Sequence, residues 1–199
     1  MALSKIQAES MNLADTFAFT GNVSGVGGLV SSASVDASGS GTIINFTNIP
    51  DGVKHIKLSG TRMSIASGSG TPNSYFVCRI GSNNTLETSG YGGSFFQQNS
   101  AGTDGVTVNL GGGSPGVSGN SWVLTRATAN NGNYNFFADL RLIDPSTFSW
   151  GYSFVSSRNG TNVIVGAGSK TLSARLDRVA VYTYSGYTLD NGEVVIQYA

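Results

Sequence analysis

The chain has 199 residues, enough for one sizeable hydrophobic core in one or two domains. Charged residues make up only 11%, eleven basic against eleven acidic, and the formal net charge is zero. That balance leaves no electrostatic footprint for nucleic acid or for an anionic membrane, and so weakly charged a surface favours assembly into a larger particle over a free monomer.

Residues 1–25 read as a docking segment, 26–41 as a Gly/Ser-rich linker, and 42–199 as a β-domain. Residues 3–15 hold the one helix candidate, with Leu3, Ile6, Ser10 and Leu13 loosely at helical spacing, whereas Phe17 and Phe19 alternate like a strand. Such a segment buries too little to order itself and is expected to fold on a partner through Ile6, Met11, Leu13, Phe17 and Phe19. Lys5 and Glu9 interrupt any signal-peptide pattern, and no apolar run approaches the roughly 20 residues of a membrane helix. Cytoplasmic synthesis without secretion or membrane insertion is therefore expected. In the linker, Leu29 and Val30 have strand character.

From Thr42 onward, short alternating strands follow one another. Thr42–Ile49 closes on the turn Pro50-Asp51-Gly52, and Val53–Ile65 changes phase near Gly60, where a bulge would shift the register by one residue. Strands are next expected over Ser74–Ile80, Leu86–Phe96, Val106–Leu110, Trp122–Thr125 and Tyr134–Ile143. Phe148, Trp150, Tyr152 and Phe154 form another stripe of period two, and Leu176–Tyr184 and Val194–Tyr198 end the chain. Roughly ten strands without an intervening helix predict an all-β fold, an antiparallel β-sandwich or jelly roll.

Few residues suggest chemistry. Val165-Gly-Ala-Gly-Ser-Lys-Thr171 superficially matches a phosphate loop, but Ile164 replaces its first glycine and no helix signal follows, so it reads as a turn between strands. One histidine, His55, and one cysteine, Cys78, cannot build a His/Cys metal cluster. Cys78, in phase with Phe76 and Ile80, is expected to be buried, and His55 to lie on the face opposite Ile56 and Leu58. No Gly-X-Ser-X-Gly turn supports a serine nucleophile, and Asp51, Asp104, Asp144 and Asp190 sit in turn contexts. These residues argue against an enzyme and against any cofactor or metal. The aromatic stripes are expected to form the core, with Tyr91, Tyr152, Tyr184 and Tyr187 less clearly buried.

Two passages carry a resemblance. The leader Lys5-Ile-Gln-Ala-Glu-Ser-Met-Asn-Leu-Ala-Asp-Thr-Phe-Ala-Phe-Thr-Gly-Asn-Val-Ser-Gly25 looks like segments of tail-fibre and related virion proteins of cyanobacterial and marine phages. The β-domain resembles the C-terminal domain of that family, through Ile44-Asn-Phe-Thr-Asn-Ile-Pro-Asp-Gly-Val-Lys-His-Ile56, Glu87-Thr-Ser-Gly-Tyr91, Gly168-Ser-Lys-Thr-Leu-Ser-Ala-Arg-Leu-Asp-Arg-Val179 and Asp190-Asn-Gly-Glu-Val-Val-Ile-Gln-Tyr198. The resemblance implies a trimeric fibre or knob in the virion that contacts a host surface glycan or protein, and it brings no catalytic or metal residues. The chain departs from the family in having no long shaft, which leaves fibre, tailspike tip and capsid decoration all open. A short tail fibre docked on tail or baseplate is the leading expectation. A capsid decoration protein is the alternative, and an isolated carbohydrate-binding module fits the fold but not the leader.

A homotrimer is expected because some strands carry apolar groups on both faces, such as Phe136 with Phe137 and Val194 with Val195. Receptor contact is expected on the loops Gly111–Asn120 and Thr128–Asn133. In the second loop, Asn130, Asn131 and Asn133 beside Tyr134 offer amides and an apolar ring to a sugar.

Overall fold

A computed structural model describes residues 30–31, 34–39, 41–66, 74–99, 106–109, 119–127, 132–158, 162–184 and 186–199. Among the described residues there are fourteen strands: β1 (Val30–Ser31), β2 (Val35–Asp36), β3 (Ile43–Thr47), β4 (His55–Ile65), β5 (Ser74–Ser82), β6 (Thr85–Leu86), β7 (Gly92–Asn99), β8 (Val106–Asn109), β9 (Trp122–Ala127), β10 (Tyr134–Asp144), β11 (Ser149–Arg158), β12 (Asn162–Thr171), β13 (Leu176–Thr183) and β14 (Leu189–Tyr198). They form two antiparallel sheets. The large sheet has nine strands in the order β1-β14-β4-β10-β11-β12-β7-β8, with β2 also on β14; the small sheet has five, β3-β13-β5-β6, with β9 on β5. The all-β expectation holds, as a two-layer sandwich.

Alternation dictates which face is buried. Along β10, Tyr134, Phe136, Ala138 and Leu140 point inward, and along β11, Trp150, Tyr152, Phe154 and Ser156 do the same. Trp122 on β9 stacks face to face on Tyr152 of the opposite sheet, with centroids 4.7 Å apart. Phe154 continues the column at 5.4 Å, and Tyr91 meets Trp122 edge-on at 5.2 Å. The two sheets also exchange hydrogen bonds here. The Tyr152 hydroxyl donates to the Val123 carbonyl, and the Trp122 indole donates to the Gly92 carbonyl at 3.3 Å. Each aromatic pair contributes roughly 0.5–1.5 kcal/mol beyond its buried area.

The expected phase change near Gly60 is present: the β4–β10 register shifts between the pairs Tyr134–Met63 and Phe136–Gly60. Glycine is required there because a Cβ would stand 2.2 Å from the Phe136 ring. Cys78 is fully buried, and burial pushes its thiol pKa up.

Several expectations need correction. Leu86–Phe96 is not one strand: Thr85–Leu86 belongs to the small sheet and Gly92–Asn99 to the large one, with Gly90 turning the chain between them at φ +76°. The expected turn at Val165–Thr171 is the second half of strand β12. Tyr91 and Tyr152 are wholly in the core, although Tyr184 and Tyr187 are only partly covered. Asp144 caps its turn by accepting from the Ser146 amide at 2.8 Å, but Asp190 lies within β14 and accepts from the Ser64 hydroxyl. The helix candidate at residues 3–15 lies outside the described residues.

One buried ion pair ties the sheets together. Lys170, the inward residue near the end of β12, is 6% exposed and donates to Glu87, just past β6. Glu87 also accepts from the Ser173 amide at 2.7 Å and from the Ser82 hydroxyl at 3.1 Å. The Lys170 ammonium lies 5.6 Å from the Tyr91 ring centroid. Burial alone would raise the Glu87 pKa, but Lys170 and Ser173 outweigh it and hold the value at about 2, against 4.5 unperturbed. A carboxyl lowered in this way contributes stability that is complete above its unfolded pKa and is lost as pH falls towards the folded one, here on the order of 3 kcal/mol. The parent should therefore lose stability between about pH 4.5 and pH 2, read from the fluorescence of buried Trp122 and Trp150 in urea. Glu87→Gln should be less stable at neutral pH and should flatten that acid slope; an unchanged slope would show that the pair does not act this way.

Candidate functional site

The same alternation that fills the core sends a second set of apolar side chains outward. On β10 and β11 the outward residues are odd-numbered, including Phe137 and Val155; on β12 they include Val163 and Val165, and on β7 Phe96. Register places four of these in one row across the sheet. Phe137 pairs with Val155, Val155 with Val165, and Val165 with Phe96. At ~4.8 Å per strand the row is about 14 Å long. Toward the sheet edge it continues through Ser59 to half-buried Val195.

Phe137 is 58% exposed, Val155 44%, Val165 40% and Phe96 41%. With Val163 and Ile143 they are all the exposed large hydrophobics among the described residues, and all six lie on this one face. Scattered apolar residues on a surface need no explanation, but a contiguous exposed stripe is the kind of surface through which proteins contact other proteins, membranes or ligands. In the flanking rows Asn135, Ser157 and Gln98 stand beside Val163 on one side, and Lys57, Asp139, Ser153 and Ser94 beside Ala167 on the other. Two open depressions flank the stripe. One, of about 550 Å³, lies beside Phe137 and Val155 and is bordered by Lys57, Asp139, Ser153 and Gln197. The other, of about 330 Å³, lies beside Phe96 and Val165.

The charged groups sit at one end of this face. Asp139 accepts from the Arg141 guanidinium at 2.9 Å and contacts His55 Nε2 at 3.0 Å. Burial opposes ionisation of Asp139, but Arg141 and His55 outweigh it and hold its carboxyl below the usual range. His55 lies opposite Ile56 as expected, and this contact half-buries it. Among the described residues no three His, Cys, Asp or Glu side chains converge as metal ligands.

The sugar-contact reading of the Asn-rich loop changes at one residue. Tyr134 is fully buried, its ring 5.5 Å from that of Phe76, so it offers no apolar surface to a ligand. The reason is its phase with Phe136 on β10, which outweighs its place next to a loop. Asn133 is exposed at the start of that strand, while Asn130 and Asn131 lie outside the described residues. So do Gly111–Ser118 of the other loop and the docking residues Ile6, Met11, Leu13, Phe17 and Phe19. Sequence reasoning noticed that Phe136 and Phe137 face opposite ways; it missed the alignment of Phe137 with Val155, Val165 and Phe96, which only the strand register reveals.

Adjacent phenylalanines test the assignment of faces. Phe136→Ala should cost about 3–5 kcal/mol, whereas Phe137→Ser, measured at high dilution, should stay within about 0.5 kcal/mol of the parent in urea unfolding. Comparison with protein-family models, with curated proteins and with solved structures gives no match.

Proposed function

We propose that this chain is a structural protein of a phage virion, a short tail fibre that docks through residues 1–25 and meets the host surface through its β-domain. The observation that supports this reading best is the outer face of the large sheet. A rigid two-sheet body whose exposed apolar residues are gathered on one face is suited to being covered by protein, and a weakly charged chain of this kind is at its most soluble inside an assembly. A protein partner accounts for such a face more simply than a substrate does, because the stripe is open and crosses several strands. The leader, with its regularly placed apolar residues and few charges, supplies a second contact of the kind that orders on binding. Together they describe a module that is held at one end and displayed at the other. Copies displayed side by side would raise weak glycan affinities by avidity.

The test is a count of copies in purified virions, combined with removal of residues 1–25. A few tens of copies per particle and loss of incorporation on truncation support a docked fibre; antibody to the β-domain should then block adsorption. Hundreds of copies would move the assignment to capsid decoration, and absence from the particle would refute both.

A further inference from the structure

We infer that the outer face of the large sheet pairs with the same face of a second copy about a two-fold axis. This rests on the assembly reading above but adds a partner and a geometry. The row Phe137–Val155–Val165–Phe96 is palindromic about the boundary between β11 and β12. An axis parallel to the strands over that boundary lays Phe137 on the partner's Phe96 and Val155 on the partner's Val165. A two-fold contact requires this self-complementarity, in which residue i meets j and j meets i.

The flanking rows obey the same operation. Asp139 comes over Ser94, Ser153 over Ala167, Asn135 over Gln98, Ser157 over the exposed Val163, and the long Arg141 over Gly92, as the paired registers of β10 with β11, β11 with β12 and β12 with β7 require. His55, Lys57, Asp139 and Arg141 all belong to β4 and β10, so the axis places no like charges opposite one another. Like-charge opposition is a common way for a face to be forbidden from pairing with itself, and it is absent here. The two depressions correspond in position, though not in size: each lies beside one phenylalanine, and the operation brings the partner's other phenylalanine over it.

The size is adequate. Four strands of eight to eleven residues cover about 20 Å by 30 Å, roughly 600 Å² in projection, near the ~800 Å² of accessible surface that each partner buries in a standard interface. The packing would be the aligned sheet-on-sheet type, at about 30°. A two-fold pair differs from the threefold expected from the family resemblance, and the difference is measurable.

Cysteine pairing in the full chain reads the geometry directly, because the only native thiol, Cys78, is fully buried. A mixture of Phe137→Cys and Phe96→Cys proteins should form a disulfide-linked dimer under mild oxidation. Each variant alone should not, since the axis keeps identical positions apart. The parent should sediment as a dimer at micromolar concentration, and Val155→Glu, with parent-like urea unfolding at high dilution, should weaken that dimer by at least ~100-fold. A mixture that stays uncrosslinked overturns the pairing, as does Phe137→Cys linking to itself as readily as in the mixture. A monomeric or trimeric parent also overturns it, including a monomer that binds a saccharide beside Phe137. The virion count is independent of these results: a chain counted in particles but monomeric in solution loses the two-fold pairing and keeps the attachment reading.

Discussion

The stack of Trp122 on Tyr152 is the contact on which the sandwich depends. It joins β9 of the small sheet to β11 at the centre of the large one, and each ring also gives its one polar hydrogen to the backbone of the opposite sheet. Aromatic burial supplies the energy, and the exchanged hydrogen bonds fix how the layers are offset. Around that point β12 has almost no inward side chains, because the Phe154 ring lies over Gly166 and the Trp122 indole over Gly168. The Glu87–Lys170 pair closes the same region a few residues further along β12. A Cβ at Gly166 would meet the Phe154 ring and the neighbouring strand β7, and one at Gly168 would meet the Gly92 carbonyl and the Trp122 indole.

A five-stranded sheet can cover only one side of a nine-stranded one. With the inner face committed to this packing, Phe137, Val155, Val165 and Phe96 have no partner layer among the described residues. Exposed valines are unremarkable singly, but aligned by register they become a single surface. Charge does not protect it, because the ionic groups gather at the β4–β10 end around Asp139. The fold, and the pairing proposed for its outer face, both trace to one asymmetry between the two sheets.

Much of the fold was legible from alternation alone. β10 and β11 read as strands because Tyr134, Phe136, Leu140, Trp150, Tyr152 and Phe154 keep strict period two. The phase change at Gly60 was visible because Leu58 and Met63 differ in parity. β12 was not legible as a whole, because its inward positions include Gly166 and Gly168, whose space is filled from neighbouring strands, so no apolar signal appears in its second half. The division between β6 and β7 was hidden for a related reason: Leu86, Tyr91 and Phe95 are all apolar, but they belong to different sheets. Tyr134 misled because proximity to an amide-rich loop was given more weight than its phase with Phe136. The outer stripe lies beyond single-strand reasoning altogether, since its four members are scattered between residues 96 and 165 and meet only through pairing.

The proposed pairing makes this outer face a covered surface in the assembled protein. Hydroxyl-radical footprinting of the full chain over a concentration series, read by mass spectrometry at Phe137 and Phe96, tests it most directly. Both rings should be protected at high concentration and become reactive together on dilution, while buried Phe136 stays protected throughout. Equal reactivity of Phe137 and Phe96 at every concentration would contradict it.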